Sequence, residues 1–216
     1  MPRKSFTVFG FFFLWGASAV FAASEVIPTE TAAFKEMMSP AADAHSLMVE
    51  IKPGDNLTKI AKKNGVTPDF IRKVNGLRDD RIKPGKKLKI PTYKFSVIVD
   101  KSLNTLVLKG DEEVLKTYVV ATGKNNSTPV GVFKITDKLV NPTWYKAGAV
   151  IASGKPENEL GSRWLGLTAQ GYGIHGTINP DTLGQQVTAG CVRMKNEDVE
   201  ELYSTLIPGT EVTIVD

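Results

Sequence analysis

Cysteine is almost absent from this chain: Cys191 is the only one in 216 residues. A single cysteine excludes an internal disulfide framework. There are two histidines, and one of them, His45, lies far from any motif and is expected to be inert. One cysteine and one nearby histidine leave a zinc site short of ligands, so no metal and no cofactor is expected. No cysteine lies near residue 22, which excludes a lipid-modified N-terminus there. After that point no run is apolar enough to span a membrane. Repeats and low-complexity tracts are missing too. The hydrophobic share of 42% is nonetheless that of a globular protein.

The chain opens with the pattern of an export signal. Residues 1–22 carry Arg3 and Lys4, then an apolar run from Phe6 to Phe21, and no acid precedes Glu25. Val20-Phe21-Ala22 presents small residues where a signal peptidase reads, and cleavage is expected after Ala22. Left uncleaved, the same segment would be a membrane anchor and the protein's one link to a membrane. Outside the cytoplasm, in a periplasm or cell wall, an unpaired thiol is exposed to oxidation and mispairing. Keeping Cys191 there points to a thiol that is used.

Residues 23–46 are rich in Ala, Pro, Thr, Ser and Met, carry a net charge of −3, and read as a linker or tether with one weak helical turn. Charge is then unevenly spread, with a net of +7 over residues 47–91 and −2 over residues 92–216. The basic unit has a single aromatic, Phe70. With export, this points to an anionic cell-envelope polymer as partner and away from nucleic acid. A solvated lysine-rich surface is the alternative.

Within residues 47–91, Leu47, Val49 and Ile51 alternate as in a strand, and Pro53-Gly54 turns the chain. Asp55 is placed to cap a helix carrying Leu57, Ile60 and Ala61, which Gly65 ends. Thr67-Pro68 opens a second helix with Phe70, Ile71 and Val74, and Asn75-Gly76 stops it. Leu88 and Ile90 then alternate with Lys87 and Lys89 in a closing strand. The stretches VEIKPGDNLTKIAKKNGVTPDFIRKVNGL and IKPGKKLKIP resemble a LysM domain, a small βααβ unit that binds N-acetylglucosamine-containing glycans such as peptidoglycan. The resemblance implies a sugar held between Gly54, Asp55, Asn56 and Leu57 on one side and Asn75, Gly76, Leu77 and Arg78 on the other. Asp55 and Gly76 as helix caps and Leu57 as core are the competing structural readings. Family members commonly carry Thr or Ser where this chain has Asn56, a departure that touches sugar preference.

Residues 92–216 read mostly as strands: Phe95 to Val99, Leu103 to Leu108, Val114 to Ala121, Val130 to Ile135, Trp164 to Leu167 and Gly173 to His175. Gly110-Asp111 suggests a hairpin. One helix follows, with Asn196 as its expected cap and Val199, Leu202, Tyr203 and Leu206 as one apolar stripe. Val212 and Ile214 belong to a last strand.

A thiol is mostly protonated at neutral pH and needs a base to act as a nucleophile. His175 lies sixteen residues before Cys191, among Gly171, Gly173 and Gly176. Gly190 permits an unusual backbone angle just before the cysteine, where N–H groups could face a developing oxyanion. Arg193, two residues on, shares the cysteine's side of a strand and is suited to a carboxylate or a thiolate.

The segments HGT (175–177) and TAGCVRM (188–194), with ATGKNNSTPVGVFKI, NPTWY and GSRWLGL in order, resemble the L,D-transpeptidase catalytic domain (YkuD-like) over roughly residues 93–216. The resemblance implies a mainly β sandwich or barrel with one helix. It implies that Cys191 takes the acyl group of the third residue of a peptidoglycan tetrapeptide stem, releasing D-alanine. An amine on a second stem or on a partner protein then receives that group. His175 would be base and then acid, Gly176 would orient it through its carbonyl, and the N–H groups of Gly190 and Cys191 would form the oxyanion hole. Arg193 would position substrate or brace the cysteine loop. Trp144, Tyr145, Arg163, Trp164, Tyr172 and Thr188 are the expected cleft residues. Relatives often have Ser at the position of Thr188 and some have His at that of Ala189, which leaves His175 as sole base here. NlpC/P60 cysteine peptidases place cysteine before histidine, and sortases lack the HGT context. The alternatives that stay open are a cysteine peptidase or carboxypeptidase that hydrolyses the same bond, and a non-catalytic cell-wall-binding protein.

Overall fold

A computed structural model describes residues 29–146 and 148–216; the export segment 1–22 and its cleavage point lie outside them. The first described residues correct an expectation. The supposed tether forms a short strand, β1 (Thr29–Glu30), and a helix, α1 (Ala32–Met37). Thr31 caps the helix: its Oγ1 accepts the Phe34 N–H at 3.1 Å and donates to the Leu115 carbonyl at 2.9 Å. Six residues cannot sustain a helix alone. Phe34 and Met37, three positions apart, hold it by entering the main core. Each such buried side chain contributes about 1.5–3 kcal/mol. Composition missed this because two apolar residues among small ones do not reveal a burial partner elsewhere in the chain.

Next come β2 (Ser46–Glu50), α2 (Leu57–Asn64), α3 (Pro68–Val74) and β3 (Lys87–Pro91), in the predicted order strand, helix, helix, strand. Strands β2 and β3 pair antiparallel, and Ile51, Leu57, Ile60, Ala61, Ile71, Leu88 and Ile90 form a small core. The cap of α2 is Asn56 and not Asp55. Asn56 Oδ1 accepts the Lys59 N–H at 2.8 Å, while Asp55 accepts the Lys52 N–H at 2.8 Å and closes the Pro53-Gly54 turn. Lys89, expected on a solvated face, is fully buried. Its ammonium lies 2.5 Å from the Asp43 carboxylate and donates to the carbonyls of Glu36 and Ser39, all contributed by the N-terminal segment. A buried cation is tolerated only with such a full set of partners.

The rest of the chain supplies β4 (Phe95–Asp100), β5 (Thr105–Gly110), β6 (Glu113–Val119), β7 (Thr122–Gly123), β8 (Gly131–Val140), β9 (Trp144–Lys146), β10 (Ala149–Ile151), β11 (Arg163–Leu167), β12 (Gly173–His175), β13 (Gln186–Thr188), β14 (Val192–Arg193), α4 (Asn196–Thr205) and β15 (Glu211–Val215). Nine strands make one sheet in the order β1-β6-β5-β4-β15-β8-β11-β12-β14. The sheet curls until its far end meets its near end: Ala121, just past β6, exchanges two 2.8 Å backbone bonds with Arg193 of β14. Alternate residues such as Val97 and Val99, Leu106 and Leu108, and Val212 and Ile214 fill the interior. Val199 and Leu202 of α4, with Leu206 just past its end, close it. Among the described residues the chain is therefore a mainly β unit, its curled sheet covered by α4 and the short α1, joined to a small βααβ unit.

The two units share a core. Phe70 and Val74 of α3 pack into the main cluster, and Phe70 meets Phe95 edge-on at 5.6 Å. Lys73 donates to the Glu200 carbonyl and to Ser204 Oγ of α4. Phe34→Ala is expected to lower stability by about 3–5 kcal/mol, the usual cost of emptying an aromatic site. Urea unfolding of the described protein checks this; a free tether would leave the midpoint unchanged.

Candidate active site

The site grows from three neighbouring strands. Parallel pairing of β12 with β14 sets His175 opposite Arg193 and Ile174 opposite Val192. On its other side β12 pairs antiparallel with β11, with His175 opposite Trp164. The Trp164 ring stacks on the imidazole at 6.0 Å and 18°. A side chain at Gly173 would collide with that ring, so the glycine is what lets Trp164 lie there.

His175 is 3% exposed. Its Nδ1 lies 2.6 Å from the Gly176 carbonyl. A carbonyl can only accept, so Nδ1 carries the proton and Nε2 presents a lone pair. Burial pushes the imidazole down to about 4, and the charge of Arg193 acts the same way, against the Gly176 bond. The Gly176 loop is held by Asn196, whose place before the acidic first turn suggests a helix cap. The cap position is Lys195. Asn196 instead accepts the Ser162 N–H at 3.0 Å and donates to the Thr177 carbonyl at 2.9 Å. It lies so close to Gly176 that a Cβ there would clash.

Cys191 is a free, partly exposed thiol with Sγ 3.8 Å from the Gly171 carbonyl. Burial pushes the thiol up, opposed by a Gly173 backbone bond and by Arg193. Gly190 sits at φ +135°, a backbone conformation suited to glycine. Its N–H is already engaged, donating to Thr188 Oγ1 at 3.1 Å, which removes it from the expected pair of oxyanion donors. The Cys191 N–H keeps no such partner among the described residues. Thr188 is buried, and its Oγ1 donates to the Cys191 carbonyl at 2.7 Å. It braces the cysteine turn and also lines the cleft over Cys191, where it was expected.

A cleft of about 550 Å³ opens over these groups, lined by Lys124, Trp144, Lys146, Glu159 and Tyr172 beside His175, Cys191 and Arg193. A second lobe of about 290 Å³ is lined by Leu139, Pro142, Tyr145 and Trp164. Both lobes share Cys191, Trp144, Leu160 and Gly171. Arg193 is clamped by Glu159 at 2.5 Å and by Thr182 at 3.2 Å, and its Nε is buried without a partner. Glu159 had no sequence signal, since an acid in a loop carries no motif. Arg163 is not in the cleft: next to Trp164 in the strand, it faces the other side of the sheet, pairing with Glu200 at 3.5 Å and covering the Tyr203 ring at 5.4 Å.

In the small unit most expected sugar contacts serve the fold. Leu57 is core, and Asn75 bonds the Ile71 carbonyl and both backbone groups of Lys89. Gly76, at φ +60°, ends α3, and the Leu77 N–H returns to the Arg72 carbonyl at 2.9 Å. Gly54, Asn56, Gly76 and Arg78 remain exposed, and Arg78 lines a groove of about 730 Å³ with Thr67, Asp69, Lys138 and Tyr203.

The His175 environment predicts a pH response. The buried neutral form keeps a pKa of about 4 against an unfolded value of 6.5. The unfolded chain therefore binds the extra proton first, so this contribution to stability is complete above pH 6.5 and is lost as pH falls toward 4, by about 3 kcal/mol in all. An NMR titration of the imidazole should place its midpoint near the lower value; a midpoint near 6.5 would refute the buried neutral state.

Comparison with known proteins agrees with this geometry. Residues 94–214 match the L,D-transpeptidase catalytic domain model and residues 49–91 match the LysM domain model. A Bacillus licheniformis protein named as the L,D-transpeptidase YkuD is 36% identical over 176 residues, covering 78% of this chain and 98% of the relative. One from Bacillus subtilis (strain 168), named as the L,D-transpeptidase YqjB, is 44% identical over 126 residues, covering 56% of this chain and 70% of the relative. An L,D-transpeptidase from Mycobacterium smegmatis shares the fold with a TM-score of 0.50 at 20% identity, over 61% of this chain and 64% of that one. With its β12–β14 core, its His175–Cys191 cleft and these matches, the chain belongs to the YkuD family of L,D-transpeptidase catalytic domains and carries an N-terminal LysM domain.

Proposed function

We propose that the protein is an exported peptidoglycan L,D-transpeptidase with Cys191 as nucleophile. The observation that carries this reading is the fixed tautomer of His175: Nδ1 is tied to the Gly176 carbonyl at 2.6 Å, so Nε2 is the free base in a cleft shared with the thiol. With the imidazole held neutral and the thiol pushed up, the resting pair is thiol and imidazole, and the proton moves during attack.

In the first step Sγ bonds to the carbonyl carbon of the third stem residue, and Nε2 takes the thiol proton. Charge on the carbonyl oxygen is met by the Cys191 N–H. The bond to D-alanine breaks, the imidazolium gives its proton to the leaving amine, and a thioester remains. In the second step an amine attacks the thioester, Nε2 takes a proton from that amine, the S–C bond breaks, and the imidazolium gives the proton to sulfur. Lys124 and Lys146 make the larger lobe basic, which suits the carboxylates of a peptide stem. Two lobes meeting at one sulfur leave room for a donor and an amine acceptor, on a second stem or a partner protein, and this favours transfer over hydrolysis. The LysM domain would hold the enzyme on the glycan strands of the cell wall, with Arg78 as the exposed contact.

Cys191→Ala should abolish D-alanine release from a disaccharide-tetrapeptide, a loss of at least about 10³-fold, read by mass spectrometry. Release that persists would sink the mechanism. With the wild type and a second stem present, a 3→3 cross-linked product distinguishes transfer from hydrolysis. Arg78→Glu should reduce co-sedimentation with purified sacculi while sparing turnover of soluble fragments, and unchanged pelleting would reject the glycan contact.

A further inference from the structure

Thr128 touches neither cleft, yet its hydroxyl is wholly committed. It is 1% exposed. The Gly123 N–H donates to Oγ1 at 2.7 Å. The hydroxyl's own proton is thereby left for the Gly190 carbonyl, 2.9 Å away. That carbonyl belongs to the same peptide unit as the Cys191 N–H. The unit is trans and planar, so its carbonyl and N–H point in opposite directions. Anchoring the carbonyl on the buried side at Thr128 turns the N–H away from that side. Gly190 has no side chain to restrict this plane, so an outside bond has to hold it.

The anchor is itself anchored. The Thr128 carbonyl accepts from Lys101 Nζ at 2.9 Å, and Lys101 is 2% exposed. The same ammonium lies 2.9 Å from the Asp216 carboxylate. Behind Gly190 the loop from Gly123 to Thr128 packs so closely that a side chain on Gly123 would strike Ser127, Thr128 and Gly190 at once.

We propose that Thr128 is a positioning residue for acyl transfer: its hydroxyl, acting through the Gly190 carbonyl, aims the Cys191 N–H at the oxygen that becomes negative. This rests on the reading of Cys191 as nucleophile and of its N–H as oxyanion donor. The residue contacts no substrate and supplies no proton. It fixes one dipole before the reaction begins, which is the condition for such a donor to act without reorganisation.

Two reactions at the same sulfur separate this role from a structural one. Alkylation by iodoacetamide forms an S–C bond and expels iodide from a saturated carbon, with no oxyanion. Acylation by a carbapenem adds sulfur to the lactam carbonyl, builds charge on its oxygen, and breaks the lactam C–N bond. Thr128→Val deletes the hydroxyl at nearly constant volume. It should slow acylation about 10- to 100-fold and leave alkylation unchanged, whereas Thr128→Ser should keep both. If the valine variant does not fold, Thr128→Ala, which leaves room for a water, is read by the same ratio. The proposal is overturned if acylation and alkylation fall together, if neither changes, if serine behaves like valine, or if both deletions fail to fold. Failure of the functional reading looks different: Cys191→Ala would then still release D-alanine, whatever residue 128 is.

Discussion

Two parallel strands, β12 and β14, hold the chemistry of this protein in register, and little of the site would exist without that pairing. Opposite positions on the two strands are His175 and Arg193, and Cys191 precedes the second strand directly. Parallel strands cannot be joined by a tight turn, so the chain must travel between them. It does so over the residues that include Thr182, which bonds Arg193, and β13, which pairs with β7. The connection therefore returns to the site as its wall. Closure of the curled sheet through Ala121 and Arg193 stiffens the same strand from its outer side.

Electrostatics follow from this placement. An imidazole sealed between Trp164 and the core is driven neutral, and one carbonyl decides which nitrogen is free. A neutral base beside a thiol that burial keeps protonated is a poor resting nucleophile and a good partner for a proton moved during attack. Arg193 adds positive charge close to both groups, but Glu159 balances much of it at 2.5 Å. Lys124 and Lys146 line the same lobe and pair with no carboxylate among the described residues.

Much of this was legible in the residues, for identifiable reasons. Strands with alternating burial, such as β4, β5 and β15, announce themselves by period two, and α4 by its stripe. Cysteine, histidine and arginine stand out because their chemistry is scarce in the chain. Apart from β12, which its glycines and histidine mark out, the two- and three-residue strands β1, β7, β9, β10, β13 and β14 carry too few positions for any period to show. The N-terminal segment was misread because α1 owes its helix to a distant core, and Lys89 because its partners, Asp43 and two carbonyls, lie about fifty positions earlier. The same blindness affected the LysM loops. Asn75 looked free for a sugar, and only the folded chain reveals that its amide is spent on Ile71 and Lys89, while exposed Asn56 commits its Oδ1 to the Lys59 N–H.

The residues that orient the reacting groups were the least legible of all, and the reason is physical. His175 and Cys191 each lean on a neighbouring glycine peptide, His175 on the Gly176 carbonyl and Cys191 on the unit it shares with Gly190. Glycine lets backbone come close, but it leaves the peptide plane soft. Stiffness is supplied from outside by polar side chains, half-buried Asn196 on the histidine side and buried Thr128 on the cysteine side. These bonds span 19 and 62 positions, so no local spacing rule can display them. A motif rich in glycine at a nucleophile thus implies hidden braces elsewhere in the chain. Their location is decided by which distant loops the curled sheet brings against those glycines.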